Sequence, residues 1–343
     1  GFEVSVLPGM VGSRWGRCMA LLGPALALKS AERASGTSAS FCAPDPPSAD
    51  LRIRLVQYNV RRLTDSNGSS LVNVVGDTLK YLAPSIVCLN EVDVGLHPDG
   101  LQTLAATADT AHVHFFGHAR GKYGNALLTK YPMAQQKNMH LKGGSSLEHP
   151  RGSGTFFKIK RGMLSAEVDL TNASAQNLTV FCTHLDHINE SERVVQMSHI
   201  LSEMSHCEGP HVLVGDLNAL NVHDYSPSEW EVLEKIAADS GWVPPADAEC
   251  LRLLAARGYV DVFRSAKGVG HEGPLPHGTS KFTAHTADPK YRIDFVFLSP
   301  SAASAGITVD NAFIDTQSLG SDHFPLVIDL LFNQEHSAHR AAL

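Results

Sequence analysis

The sequence predicts an α/β fold in which mixed β-sheets pack together under a cover of helices. Three observations lead there. Short strand-like runs alternate with amphipathic helical segments along most of the chain. No segment repeats at a fixed period. At 43% hydrophobic and 18% charged residues, the 343-residue chain is globular in composition and long enough to bury a full core.

The elements follow in order. LRIRLVQY, from Leu51, alternates as a strand. SLVNVVGDTLKYLAP places Val72, Val75, Leu79 and Leu82 on one helical face and is ended by Pro84. SIVCLNEV, HVHFFG, NALLTK, LSAEVDL and LTVFCTH read as strands. A helix with Val194, Met197, Leu201 and Met204 on one face then precedes the strand HVLVGDLN. SPSEWEVLEKIAADSG opens on a Ser-Pro-Ser-Glu start and closes at Gly241, so a capped helix is expected. The helix DAECLRLLAARG leads into YVDVF, and RIDFVFLS, ITVDNAFID and FPLVIDLLF are the last strands. In EHPRGSGTFFKIKRGMLSAEV the pair Arg-Gly occurs at 151–152 and again at 161–162. Excising one copy leaves a tight turn into a strand, so 152–161 is expected to be an insertion in a surface loop.

Residues 1–50 read differently. From Met10 to Phe41 the chain carries Arg14, Arg17, Lys29 and Arg33 against one acid, Glu32, among many Ser and Ala. This suits a mitochondrial or plastid targeting segment, with a signal peptide or a disordered tail as alternatives. CAPDPPSAD (42–50) is a Pro-rich linker, and one domain is expected over 51–343. Six scattered cysteines without zinc spacing, Cys88 and Cys182 in strand-like runs, lean toward reduced core residues and an intracellular protein. Sequons at Asn67, Asn172, Asn177 and Asn189 pull weakly toward secretion. A formal charge of −7 with no Lys/Arg-rich block weighs against a grip on long DNA or RNA, although bound metal would supply positive charge locally. A monomer without a membrane-spanning helix is expected.

The chemistry gathers where apolar runs stop. Asn59 follows LVQY, Glu91 follows VCLN, and Asp216 and Asn218 follow VLVG. His184 and Asp186 follow VFCT, Asp294 lies just inside RIDFVF, and Asp322 and His323 stand just before FPLVI. If the strands align, these side chains share one rim of the sheets. Four carboxylates in one cleft call for a counter-charge, and a hard cation such as Mg²⁺, with Mn²⁺ as a substitute, takes carboxylate and amide oxygens. Two imidazoles beside it would move protons near neutral pH. Together these groups suit attack of water on phosphorus. GVGHEG (268–273) lacks a strand-to-helix context and reads as a loop.

In the order QYNV, LNEV, YGNALLTKYP, THLDH, GDLNA, RIDFVFLS and SDHFPL, the chain resembles the endonuclease/exonuclease/phosphatase superfamily over Leu51 to Phe332. The resemblance implies a deoxyribonuclease I-like, four-layer fold of two mixed sheets with helices outside. It also implies roles. Glu91 would be the principal metal ligand, with Asn59 and Asp322 assisting. His323 would be the base, oriented by Asp294, while Asp216 and Asn218 position water and phosphate and His184 donates to a phosphate oxygen. In one branch of the family an Arg precedes the strand equivalent to LSAEV, and Arg151 and Arg161 compete for that place. Tyr123 and Asn125 are expected near the cleft, Asp186 and His187 as loop residues, and the segment from Asp224 to Tyr259, with Trp230 and Trp242, along a substrate groove. The implied substrate is a phosphoester: nucleic acid, a lipid headgroup, an inositol phosphate or a small phosphodiester. A catalytically silent binding module on the same fold is the alternative, which loss of Glu91, Asp216 or His323 would mark.

Overall fold

The structure, a computed structural model, describes residues 51–149, 152–171 and 176–333. The expected targeting segment and linker at 1–50, Arg151 and the sequon at Asn172 lie outside the described residues.

In chain order, β1 (Leu51–Asn59) leads through α1 (Val72–Leu82) to β2 (Ile86–Asp93), and α2 (Gly100–Thr107) follows. Next come β3 (His112–Ala119), β4 (Tyr123–Thr129) and β5 (Met133–His140), then β6 (Ser146–Glu148), β7 (Phe156–Lys158) and β8 (Gly162–Val168). β9 (Leu178–His184) passes through α3 (Glu190–Met204) to β10 (His211–Asp216). Then follow α4 (Pro227–Ser240), α5 (Glu249–Ala255), β11 (Val260–Asp261), α6 (Val262–Ala266) and β12 (Asp294–Leu298). The last elements are α7 (Pro300–Ser304), β13 (Ile307–Ile314) and β14 (Leu326–Phe332).

Two six-stranded sheets form, ordered β13-β14-β1-β2-β4-β3 and β11-β12-β10-β9-β8-β5, with β6 and β7 as a separate hairpin. Each sheet contains a parallel pair, β1 with β2 and β9 with β10, among otherwise antiparallel neighbours. The helical crossovers α1 and α3 follow from that, since parallel neighbours cannot be joined by a tight turn.

The period of two along each strand builds four layers. Ile53 and Leu55 of β1, Ile86 and Cys88 of β2, Val180 and Cys182 of β9, and Val212 and Val214 of β10 share one apolar core, to which both sheets contribute. Val56 and Tyr58, with Val87 and Leu89, instead pack on Val75, Leu79 and Leu104 of α1 and α2. On the other sheet Phe181, Leu213, Phe295 and Phe297 pack on Met197, Ile200 and Leu254 of α3 and α5. Burying a Leu or Phe in such a layer is worth about 1.5–3 kcal/mol, so the alternation fixes which face each strand presents. Cys88 and Cys182 are free thiols inside.

α1 ends as its sequence predicts, with Ala83 in the left-handed region (φ 49°) just before Pro84. α4 has a full capping box, Ser226 and Glu229 each accepting a backbone N–H of the other's residue, and ends at Gly241 with φ 64°. Several elements depart from the sequence reading, α7 and the β6–β7 pair among them. α2 and the polar edge strand β5 carry no strong period and were not expected. YVDVF is a strand for only two residues, because the Asp261 carboxylate accepts from the N–H groups of Phe263 and Arg264 and starts α6. GVGHEG is a loop wrapped on Arg264, which donates to the carbonyls of Gly270 and Gly273. Among the described residues no helix is long and apolar enough to cross a membrane.

Candidate active site

At one end of the inter-sheet layer the inward positions turn from apolar to polar. On β1, Ile53 and Leu55 give way to Gln57 and Asn59. On β2, Ile86 and Cys88 give way to Asn90, on β9 Cys182 to His184, and on β10 Val214 to Asp216. The rim is therefore the C-terminal ends of the two parallel pairs, together with Asp294 at the start of antiparallel β12, which stands opposite Asp216.

Buried amides lock this rim across the two sheets. Asn90 Oδ1 accepts from Gln57 Nε2 at 2.6 Å and from the Asp216 N–H at 2.8 Å. Its Nδ2 donates to Asn125 Oδ1 at 3.0 Å and to the Thr183 carbonyl at 2.9 Å. Gln57 Nε2 also reaches Asp294 Oδ1 at 3.2 Å, and Asn125 donates to the Gly162 carbonyl at 2.9 Å. Asn125 thus has a place in this network, and so do Gln57 of QYNV and Asn90 of LNEV, for which the motifs imply no role. Their signal was position: each continues the inward alternation with an amide where an aliphatic residue would fit.

His323 Nδ1 bonds Asp294 Oδ2 at 2.8 Å, and its Nε2 lies 3.9 Å from Asp216 Oδ2. A strap holds both partners in place. The Phe324 N–H donates to the Thr283 carbonyl, and the N–H groups of Ile293 and Asp294 donate to Thr283 Oγ1. Burial lowers the basicity of His323, but Asp294, then Asp216 and Asp322, outweigh it and push its pKa up to about 10. Burial and the neighbouring Asp294 push Asp216 up to about 7.

Asn59 Nδ2 sits between two carboxylates, 3.1 Å from Glu91 Oε1 and 2.9 Å from Asp216 Oδ2. Glu91 stands in the left-handed backbone region (φ 60°), where the register between β2 and β4 shifts between Leu89 and Val92. A bulge of this kind re-aims a side chain, and here it falls at a residue expected in the site. Asn218 is also left-handed (φ 49°); its N–H donates to Asp216 Oδ1 and its Nδ2 to the Leu185 carbonyl. His184 Nε2 is 3.5 Å from Asp216 Oδ2. Seven of the eight expected residues are therefore joined through direct contacts. Asp322 stands apart, paired with Arg61 Nε at 3.5 Å and His285 Nδ1 at 3.7 Å, and is linked to Asn59 through Arg61, whose N–H donates to Asn59 Oδ1. Although burial raises it, the His285 hydrogen bond and the charges of His323 and Arg61 take Asp322 down to about 2.

Asp216, Asp294 and His323 offer atoms within 4.8 Å of one another and by distance alone resemble a metal site. Hydrogen bonding argues otherwise, since Asp294 Oδ2 and His323 Nδ1 are spent on each other. The donor set fits a hard cation better at Glu91 and Asn59. There the Asn59 N–H₂ lies between two carboxylates, and its Oδ1, an oxygen of the kind a hard cation takes, accepts from the Arg61 N–H.

Arg161, in the position immediately before β8, is buried and donates to His184 Nδ1 and His187 Nδ1, each at 3.1 Å. Burial, then Arg161, holds His184 well below the usual histidine range and His187 at about 4. The Tyr123 hydroxyl interacts with Glu91 and Arg161, and burial and Glu91 raise its pKa well above normal. His187 is thus tied to the site, while Asp186 is a loop anchor that accepts from the N–H and hydroxyl of Ser145. Trp230 packs on Tyr225, ring centroids 5.6 Å apart, and Trp242 is exposed. Arg292, beside Asp294, is a buried structural cation held by Asp224 at 2.7 Å and by both oxygens of Asp261.

A profile of the Endonuclease/Exonuclease/phosphatase family matches residues 56–323. An endonuclease/exonuclease/phosphatase from Beutenbergia cavernae DSM 12333 superposes with a TM-score of 0.58 at 20% identity, over 82% of this chain and 72% of that one. A mannosyl-6-phosphatase from Bacteroides thetaiotaomicron VPI-5482 gives 0.56 at 17% identity, over 82% and 100%. A D. rerio TDP2 complexed with a single strand DNA product gives 0.52 at 19% identity, over 81% and 98%. At these identities the likeness is one of fold, two mixed sheets face to face. No curated protein matches the chain in sequence.

Proposed function

Because the chain belongs to the endonuclease/exonuclease/phosphatase family, whose chemistry is phosphoester hydrolysis, we propose that it is a Mg²⁺-dependent phosphoesterase in which His323 activates the attacking water. The observation that carries this reading is the buried His323–Asp294 pair. Nδ1 is committed to the carboxylate, so Nε2 is the nitrogen left to face the cleft and Asp216. Asp216 and Asn218 would position the water and the scissile phosphate. In its neutral form, which a cation held at Glu91 and Asn59 would favour by offsetting the carboxylates that raise its pKa, His323 takes the water proton on Nε2 as the water oxygen bonds phosphorus. The bond from phosphorus to the leaving oxygen breaks with its electron pair on that oxygen. His184 would donate to a phosphate oxygen and offset charge that grows in the transition state. Glu91 and Asn59, assisted by Asp322, would hold the metal ion, which when bound offsets the carboxylate field and polarises the phosphate.

Glu91, Asp216 and His323 are all in place, which argues against a silent binding module. The test is hydrolysis of bis-p-nitrophenyl phosphate with Mg²⁺ or Mn²⁺. It is followed by a screen over DNA, sphingomyelin, an inositol phosphate, a mannosyl 6-phosphate and a small phosphodiester. Activity should vanish in EDTA and return with Mg²⁺. His323→Ala and Glu91→Ala should each lower kcat by about 10²–10⁴-fold with the fold intact. Near-normal turnover in either variant, or full activity in EDTA, would remove these roles.

A further inference from the structure

Arg161 spends both terminal nitrogens on imidazoles, Nη1 on His184 Nδ1 and Nη2 on His187 Nδ1. A guanidinium has five N–H donors and no acceptor, and it keeps its charge in proteins. Each Nδ1 must therefore present a lone pair, and an imidazole that does so carries its hydrogen on Nε2. A doubly protonated ring would set two N–H groups against each other beside a buried cation. His323 is set the opposite way, because a carboxylate accepts from its Nδ1 and leaves Nε2 as the nitrogen that can take a proton.

We propose that Arg161 is a positioning residue that fixes His184 and His187 as neutral imidazoles with their hydrogens on Nε2, so that His184 donates to substrate while His323 alone serves as base. The inference deepens the phosphoesterase reading and, for its consequence in catalysis, rests on it. The geometry supports it in two further ways. His184 Nε2 faces the Asp216 carboxylate at 3.5 Å, an acceptor that suits an N–H. His187 is exposed, and a ring that meets Arg161 through Nδ1 carries its Nε2–H on the edge away from that cation. The division of labour then follows from which partner each Nδ1 meets, a cation for His184 and a carboxylate for His323. A rival role for Arg161 is direct contact with phosphate, since its Nε is buried with no partner.

The test is the two-bond ¹H–¹⁵N spectrum of the full chain labelled with [¹⁵N]histidine, without substrate at neutral pH, with signals assigned through His184→Gln and His187→Gln. The wild type should show the Nε2–H pattern for both residues and, for His323 beside Asp294, the doubly protonated imidazolium pattern. Arg161→Met should convert His184 and His187 to mixed tautomers or imidazolium while the His323 signals hold, which also reports an intact fold. In phosphoester hydrolysis the same variant should lose about 10²-fold in kcat with little change in KM, and Arg161→Lys should recover part of the loss. Nδ1–H or doubly protonated signals for His184 in the wild type would overturn the assignment. So would an Arg161→Met variant with wild-type tautomers and a raised KM, which would make Arg161 a phosphate ligand. Correct tautomers in a chain that hydrolyses no phosphoester would instead sink the functional reading and leave the tautomers standing.

Discussion

Two histidines a few ångströms from one carboxylate end in opposite states because of what lies behind each. Behind His323 is Asp294, and the proton is held up to about pH 10; behind His184 is Arg161, and protonation is driven well below the usual range. The first shift is also a statement about stability. A histidine of ordinary pKa 6.5 in the unfolded chain, raised to about 10 in the fold, stabilises fully below 6.5 and loses that contribution as pH climbs through 10. In EDTA, the Tm gap between wild type and His323→Gln should be widest near pH 6 and close toward pH 10. A gap that holds constant or widens with pH would show that the charged partners do not stabilise the folded histidine. Asn59, Glu91 and Asp216 were legible in the sequence because each interrupts or ends an apolar alternation, and His323 because it stands just before an apolar run. Arg161 was not, because its duplicate Arg151 fits the same motif, and only its contacts with residues 184 and 187 tell what it does.

Elements whose stability is local were readable, and those whose stability is borrowed were not. α1 and α4 carry their own period, caps and stops in a dozen residues. β5, MAQQKNMH, is exposed along most of its length and is a strand only because β8 offers it a partner. The doubled Arg-Gly is a case between. It pointed to an insertion, and the structure builds there an exposed hairpin in which Leu147 stands opposite Phe157 and Glu148 opposite Phe156, outside both sheets. The polar rim does not depend on it, since Ser145 holds Asp186 from before the hairpin and Arg161 follows it. Deleting residues 151–160 should therefore give a folded protein, losing about 1–3 kcal/mol with the buried Ile159 side chain. It should keep turnover of bis-p-nitrophenyl phosphate. Circular dichroism melting and initial rates check both, and an unfolded or inactive product would place the hairpin within the working core.

At the scale of the molecule, the site is the polar end of an otherwise apolar seam. Neither sheet owns it: Asn59 and Glu91 come from one, His184, Asp216 and Asp294 from the other, and His323 from the turn before β14. Apolar packing alone would let the sheets slide, because dispersion contacts are not directional. One fully buried amide, Asn90, sets their relation by angle as well as distance: of its four hydrogen bonds, two stay within its own sheet, to Gln57 and Asn125, and two cross to the other, from the Asp216 N–H and to the Thr183 carbonyl. Asn90→Ala removes the partner of two donors and two acceptors at once. Each group left unpaired in a dry interior costs about 1–3 kcal/mol, and some will find substitutes, so a loss of about 3 kcal/mol overall is expected. The same change frees Asp216 relative to His323, so kcat should fall even at temperatures where the variant is fully folded. Urea melts of wild type and variant give the first quantity, and rates on a small chromogenic diester at 15 °C give the second. A variant that loses stability but keeps full kcat would mean that the seam's apolar packing alone aligns the two halves of the site. A variant that keeps both would mean that Asn90 does not hold the sheets in register.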